Sequence, residues 1–490
     1  MKRLLKSIYN RENKGIYRKI PIFGIKVTTK PLENKIDVLE NIYLKNNTDK
    51  NKLKIAFNCD VLLDGLHDNT NRTGIYTVAY NIAKILLNRE DIDIYFYTYR
   101  TIDIELREYL IEILENKYIQ IISKNSNIWF YIDIYYSPAH AIPNFIIDDY
   151  KHIKKYITQH DIIPVIFPEY YPDYDEKSWL HIVLQQSVRD NNYIFTVSEN
   201  TKTDLIKYNP EFNSKNITVS YLGKDDRFKP KNIENCKNII NKYNIPQNKK
   251  YIFSLCTIEP RKNLIRIIRS FFKFLEKNSI NDMTFVLGGP NSEDFIEKFN
   301  TEISEYKDKI IKIGYVADED LPYLYSGAEW FVYTSQYEGF GLPPLEAMAC
   351  GCPVIVSNNS SLPEVVGDAG IMIDYDSDKQ HIEAYERYYF NEEYRKEMAQ
   401  RGLERSKLFS WDKCVNEMLR VMESNLDKNI KNKVRFIKTE DLIYYKIFGL
   451  TIFLPRLKTI FSVGKSEDDR FTILTIFGIK ISLKLKQRRK

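Results

Sequence analysis

Two series of alternating apolar strands and amphipathic helices, one after the other, set the strongest limit on what this chain can fold into. The first begins with the strand Lys54-Ile55-Ala56-Phe57-Asn58. Thr73-Gly74 then opens a helix whose apolar face is Val78, Ile82, Ile85 and Leu86. Strand runs follow at Ile92 to Tyr97, Ile132 to Tyr136, Tyr156 to Thr158 and Tyr193 to Val197, with a helix around Trp179 to Arg189. After Asn244-Ile245-Pro246-Gln247 the rhythm restarts with a strand at Tyr251 to Leu255, a helix at Leu264 to Leu275, and a strand at Thr284 to Leu287. Further strands fall at Ile310 to Ile313, Trp330 to Tyr333 and Val354 to Ser357. Such alternation buries both faces of a parallel sheet. Two units in tandem bring the carboxyl ends of their strands, where such sheets bind ligands, to either side of a cleft. The expected fold class is α/β, with two Rossmann-like doubly wound domains. Its expected boundaries are 1–50 for an N-terminal extension, 51–243 and 244–410 for the domains, 411–430 for a helix crossing back to the first, and 431–490 for a β-rich C-terminal extension.

Bulk properties exclude more than they assign. The 490 residues exceed one core, and 43% hydrophobic with 28% charged is the composition of a folded globular protein. No apolar run reaches the ~20 residues of a membrane helix. Met1 to Asn10 is basic but lacks the apolar stretch of a secretory signal, so a cytoplasmic protein is expected. Cys59, Cys236, Cys256, Cys350, Cys352 and Cys414 form no CxxC and no Cys/His cluster, which predicts reduced thiols and no metal site. Residues 1–19 hold seven Lys/Arg and one Glu, and residues 480–490 hold six Lys/Arg and no acid. With a total of +6, residues 20–479 are left at −6. An acidic body argues against nucleic acid, while basic ends suit an anionic membrane surface. Solvated tails with no partner are the alternative.

Three copies of one short pattern lie near the ends: Ile20-Pro21-Ile22-Phe23-Gly24-Ile25-Lys26-Val27, Tyr445-Lys446-Ile447-Phe448-Gly449-Leu450-Thr451-Ile452 and Leu474-Thr475-Ile476-Phe477-Gly478-Ile479-Lys480-Ile481. Each reads as a tight hairpin or bulged strand around Phe-Gly. Pairing of all three in one accessory sheet is the arrangement that brings both basic tails to one side.

The densest chemical signal is Tyr337-Glu338-Gly339-Phe340-Gly341-Leu342-Pro343-Pro344-Leu345-Glu346-Ala347-Met348-Ala349-Cys350-Gly351-Cys352-Pro353. Prolines at its start and Gly351 after its end bracket a short helix. A glycine-bearing loop that runs into a helix N-terminus offers N–H groups to an anion such as a diphosphate. Carboxylates at Glu338 and Glu346 would repel that anion, so hydroxyl groups of a sugar or ribose are their natural partners. The stretch resembles the E-x7-E signature of the large retaining glycosyltransferase family that includes sucrose synthases and bacterial mannosyltransferases.

That resemblance implies the GT-B fold. It assigns Glu338 to the transferred sugar, Glu346 to the nucleotide ribose, and the backbone of Gly339, Phe340, Gly341 and Leu342 to sugar and phosphate. Ile258-Glu259-Pro260-Arg261-Lys262-Asn263 resembles the family's E-P-R-K-N motif, whose lysine, here Lys262 beside Arg261, neutralises the phosphates. Many relatives carry a further Arg where this chain has Cys256-Thr257. Gly314-Tyr315-Val316-Ala317-Asp318 resembles the nucleobase-side segment, with backbone at Tyr315 and Val316 facing the base, and Asp318 also fits a helix cap. Arg72-Thr73-Gly74-Ile75-Tyr76 resembles a donor and acceptor loop of a mannosyltransferase-like branch, in which Gly74 allows close approach. His160, in Thr158-Gln159-His160-Asp161-Ile162-Ile163-Pro164, matches the family's H-D-L-x-P segment and would point at the sugar. Val197-Ser198-Glu199-Asn200-Thr201 reads mainly as a helix cap.

The implied function is retaining, metal-independent transfer of a hexose, mannose-like by branch, from a nucleotide-diphosphate sugar to a saccharide or lipid-linked saccharide acceptor. No cofactor is expected. The resemblance places such an enzyme in bacterial surface polysaccharide synthesis; the basic ends would bring it to the inner face of the cell membrane. Rival readings are a metal-dependent transferase using Asp173-Tyr174-Asp175 or Asp374-Tyr375-Asp376, a nucleotide-sugar epimerase, and a non-catalytic saccharide-binding scaffold.

Overall fold

The computed structural model describes residues 18–22, 25–29, 52–66, 74–290, 293–426, 442–447, 450–455, 461–465, 471–476 and 479–484. An antiparallel pair comes first, β1 (Arg18–Ile22) and β2 (Ile25–Thr29), with Ile22 opposite Ile25. A seven-stranded sheet follows. Its strands are β3 (Leu53–Asn58), β4 (Ile92–Tyr97), β5 (Ile121–Ile122), β6 (Ile134–Ser137), β7 (Lys154–Gln159), β8 (Tyr193–Thr196) and β9 (Ile217–Val219). All pairs are parallel, in the order β5-β4-β3-β6-β7-β8-β9. A six-stranded sheet succeeds it, made of β10 (Lys250–Leu255), β11 (Met283–Gly288), β12 (Ile310–Gly314), β13 (Trp330–Tyr333), β14 (Val354–Ser357) and β15 (Ile371–Ile373). It too is parallel throughout, in the order β12-β11-β10-β13-β14-β15.

The two orders share one logic. The chain enters each sheet in the middle, at β3 or β10, builds outward on one side, then crosses to build the other. The connections leaving β3 and β6 therefore diverge, as do those leaving β10 and β13, and each divergence opens a crevice at the carboxyl edge. Helices cover both faces, so the central strands are apolar without alternation: Tyr251, Ile252 and Phe253 of β10 and all of Trp330–Tyr333 are buried. The Leu264–Lys277 helix lays Ile267, Ile268, Phe271 and Phe274 on the second sheet, with Phe271 edge-on to Phe285 at 5.7 Å between centroids. Strands β5, β9 and β15 had no counterpart in the sequence reading because two or three residues carry no periodicity.

After the second sheet the chain returns to the first. The Trp411–Ser424 helix buries Cys414, Val415, Met418 and Met422 and packs against the Gly74–Leu87 helix. Ser220 Oγ donates to the Cys414 carbonyl at 3.1 Å, and Arg89 to Asn416 at 2.8 Å.

At the C-terminal end β16 (Leu442–Ile447) pairs with β17 (Leu450–Pro455), and β18 (Phe461–Lys465), β19 (Phe471–Ile476) and β20 (Ile479–Lys484) form a three-stranded sheet. The repeats thus span antiparallel pairs that close at Ile22↔Ile25, Ile447↔Leu450 and Ile476↔Ile479. Phe23-Gly24, Phe448-Gly449 and Phe477-Gly478 lie outside the described residues, as do Met1 to Asn10, residues 46–51, Arg72 and Thr73. The single accessory sheet is not what forms: among the described residues the three copies occupy three separate sheets. Each copy pairs with itself across two residues, and so short a closure costs far less chain entropy than bringing distant copies together.

Candidate active site

Each sheet contributes a wall of one cleft. From the second sheet, Pro260–Lys262 after β10 forms a single 3-10 turn that Asn263 ends in left-handed conformation, φ 59°, tolerable for Asn. The Asn263 amide donates to Thr334 O and Tyr375 O at 3.2 and 2.7 Å, pinning this turn against the loops after β13 and β15. The loop after β13 carries Glu338. Its carboxylate accepts from Lys262 Nζ at 2.7 Å and lies 3.2 Å from Arg261 Nη1, while Lys262 also donates to the Tyr333 hydroxyl at 2.9 Å. Arg261, Lys262 and Glu338 are 8%, 9% and 8% exposed. Burial alone would push Glu338 up, yet Lys262 and Arg261 more than reverse this and hold its carboxyl at about 2. Burial likewise disfavours the Arg261 charge, and Glu338 and Glu259 overcome it. The buried Arg261 Nε–H has no acceptor. A cationic pair with a donor to spare suits an anion.

Strand β7 ends beneath His160 on the opposite wall. Its Nε2 lies 2.8 Å from Pro138 O, and a carbonyl can only accept, so Nε2 carries the proton and Nδ1 is left as an acceptor. Burial depresses the imidazole to about 4, against the opposing effect of that backbone bond, so it is neutral at physiological pH. A cavity of about 400 Å³ lies between the walls. Gly74 and His160 line it from one side, and Arg261, Lys262, Glu338, Gly339, Phe340, Gly341 and Leu342 from the other.

The donor-side loop is held tightly. The Glu338 N–H donates to Ser360 Oγ at 3.0 Å, and the Ser361 hydroxyl lies 3.0 and 2.8 Å from the carbonyls of Glu338 and Phe340. Gly341 has φ 110°, and a Cβ there would sit 2.7 Å from Leu362 Cδ2. The helix it opens, Leu342–Ala349, offers fewer amides than an ordinary N-terminus, because Pro343 and Pro344 carry no N–H. Lys262 and Arg261 are the cations that line this cavity.

Three predicted residues do not line this cavity. Tyr315 is exposed and Val316 is buried near Gly288. Glu346, one turn into its helix, accepts from the Tyr325 hydroxyl at 3.3 Å. Burial raises it to about 8, with Asp318 adding to the shift. Asp318 is not the helix cap: Asp320 occupies the N-cap position of the Leu321–Gly327 helix, and Asp318 pairs with Arg227 at 3.3 Å instead. Neither Asp-Tyr-Asp triplet lines the cavity. Asp376 pairs with Arg266 at 2.6 Å and Asp175 accepts from Lys177 N at 2.9 Å. Among the described residues no three His, Cys, Asp or Glu side chains gather as metal ligands.

Sequence reasoning missed Asp161 as a cavity-lining residue. One carboxylate oxygen accepts from Ile163 N at 3.0 Å, and the other lies 3.1 Å from where a Cβ on Gly339 would be. Its signal was present, since it directly follows His160 in the same quoted segment.

Residues 235–405 match the family model described as Glycosyl transferases group 1. The O-antigen chain mannosyltransferase B of Escherichia coli is 34% identical over 289 residues, 58% of this chain and 73% of the relative. The chain belongs to this family. It is a glycosyltransferase, and the E-x7-E segment and Lys262 lie inside the matched region. The O-antigen chain mannosyltransferase RfbU of Salmonella typhimurium is 30% identical over 46% of this chain and 57% of its own length. The serotype-specific mannosyltransferase WbdA of Escherichia coli is 26% identical over 66% of this chain and 40% of its own. Among solved structures, Anabaena HepE in complex with UDP and glucose superposes with TM-score 0.59 at 16% identity, covering 76% of this chain and all of that one. WaaG, a glycosyltransferase involved in lipopolysaccharide biosynthesis, gives 0.55 at 12% identity, covering 75% and 99%. The fold is GT-B.

Proposed function

We propose that this glycosyltransferase moves a hexose, mannose by the names of its relatives, from a nucleoside diphosphate sugar to a saccharide or lipid-linked saccharide acceptor during surface polysaccharide synthesis. The observation that carries the reading is the buried Lys262–Glu338–Arg261 cluster, set at the switch point of the second sheet and facing His160 and Asp161 across the cleft. Lys262 and Arg261 receive the diphosphate and stabilise the charge that grows on it as the sugar's anomeric carbon–oxygen bond breaks. Glu338 and the Nδ1 lone pair of His160 accept hydrogen bonds from sugar hydroxyls. The acceptor hydroxyl forms the new bond on the face the diphosphate leaves, giving retention, and its proton passes to the departing phosphate oxygen. Charge neutralisation by Lys262 and Arg261 makes a metal unnecessary, so EDTA leaves the rate unchanged. Glu346 takes the ribose hydroxyls, and the backbone at Tyr315 and Val316 takes the base.

The basic termini support a place at the inner face of the cell membrane, where an anionic leaflet contributes about 1 kcal/mol per nearby Lys or Arg. The test is a donor screen. Incubation with GDP-, UDP- and dTDP-hexoses, GDP-mannose among them, should give slow release of one nucleoside diphosphate, faster with a mannose-bearing oligosaccharide. Inertness toward all three nucleotide classes would sink the proposal.

A further inference from the structure

The two domains are joined across the cleft by a set of contacts that the transfer chemistry does not use. At its centre is Glu364, in the short Leu362–Val366 helix that follows β14. Its carboxylate reaches the first domain and accepts from the backbone N–H groups of Glu199 and Asn200, each at 2.8 Å. These are the opening amides of the Glu199–Tyr208 helix, which otherwise have no partner within the helix. A third bond comes from the Tyr221 hydroxyl at 3.1 Å. Just before that helix, Ser198 caps Thr201 N and donates its hydroxyl to Gly339 O at 2.8 Å. One end of a first-domain helix is therefore gripped at two points by the second domain: through Glu364, and through the donor loop itself.

The grip connects directly to the reacting groups. Ser360 and Ser361, four and three residues before Glu364, are the residues that hold the backbone of Glu338 and Phe340. Gly339, between them, lies so close to His160 that a Cβ would be 2.4 Å from the His160 carbonyl. Glu364 does not line the cavity and touches no predicted donor group. A carboxylate is well matched to its place, since paired N–H groups at a helix N-terminus favour a negative charge.

We infer that Glu364 is a positioning residue: its bond to the Glu199–Asn200 amides sets the spacing between the domains, and thereby brings His160 and Asp161 into reach of a sugar held by Glu338. The inference rests on the glycosyl-transfer reading for its kinetic consequence only. Removing the charge leaves the nucleotide half of the site intact but lets the walls separate. A misplacement of about 1 Å costs on the order of a hundredfold in rate.

The experiment compares wild type with Glu364→Gln and Glu364→Ala in three measurements on the full chain. Small-angle scattering without ligand should show a larger radius of gyration in both variants. Affinity for GDP by calorimetry should stay within about twofold of wild type, while turnover of GDP-mannose falls about tenfold or more. The Gln variant matters because it keeps the size and loses the charge, turning an amide N–H₂ toward one of the two backbone donors. Wild-type scattering and turnover in both variants would overturn the inference. So would parallel losses of GDP affinity and turnover, which would make Glu364 a support of the nucleotide domain alone. If wild type itself ignores GDP-mannose, the donor assignment has failed, and the ligand-free scattering still decides the role of Glu364.

Discussion

Lys262 and Glu338 stand 2.7 Å apart, so a diphosphate bound as proposed would have to compete with Glu338 for the cation. Removing Glu338 frees Lys262 and Arg261, and Glu338→Ala should bind free nucleoside diphosphate as well as wild type or tighter while losing transfer. Glu346→Ala should weaken binding of the same ligand, because ribose contacts do not need the sugar. Calorimetry with the diphosphate alone separates the two, and equal weakening would contradict the assignment. The two carboxyls also titrate in opposite senses. Glu338, depressed to about 2, stabilises the fold above its unfolded value of about 4.5, and this contribution is lost as pH falls toward 2. Glu346, raised to about 8, binds a proton in the native state that the unfolded chain has released, so its contribution falls as pH rises from about 4.5 to 8. Ribose hydroxyls favour the ionised form, so nucleotide binding should expel that proton. Diphosphate affinity should accordingly rise severalfold between pH 7 and pH 8 in wild type and stay flat in Glu346→Gln. A flat wild-type profile would remove Glu346 from the ribose site.

At the scale of elements, the donor loop and its helix were legible because their signals are local. Pro343-Pro344 and Gly351 bracket a helix observed at Leu342–Ala349, and the apolar runs that became β10, β11 and β13 fall within a residue of their expected limits. The partners of Ser198 and Glu364 were not legible. Ser198 looks like an ordinary N-cap and is one, but its bond to Gly339 spans 141 residues and depends on how two sheets face each other. No spacing rule covers that distance. Asp161 was legible in type but not in role for the same reason, and the accessory sheet failed because sequence similarity says nothing of which copy pairs with which. Gly339→Ala tests the close approach. A Cβ would meet the His160 carbonyl oxygen at 2.4 Å, and a backbone atom cannot yield as a flexible side chain would. Turnover should fall by ~10²-fold with little change in thermal unfolding, since the clash lies between domains rather than within one. Normal turnover in Gly339→Ala would mean that the walls do not meet this closely during catalysis.

For the molecule as a whole, the distribution of charge makes the boldest claim. The body carries a net −6 between segments of +6 at either end, so binding to a membrane would be a property of the termini alone. Full-length protein should sediment with anionic but not neutral vesicles, release in high salt, and lose binding without residues 1–19 and 480–490; indifference to anionic vesicles at low salt would place the acceptor in solution. The proposed transfer takes place in the cleft, and the cation at its floor is the most direct place to test it. Turnover of the donor identified by the screen should drop by ~10²-fold or more in Lys262→Ala, as expected for lost stabilisation of a leaving diphosphate, while the variant still folds, with a lower unfolding temperature because buried Glu338 loses a partner. A folded Lys262→Ala protein that turns over at the wild-type rate would show that the diphosphate leaves from somewhere else.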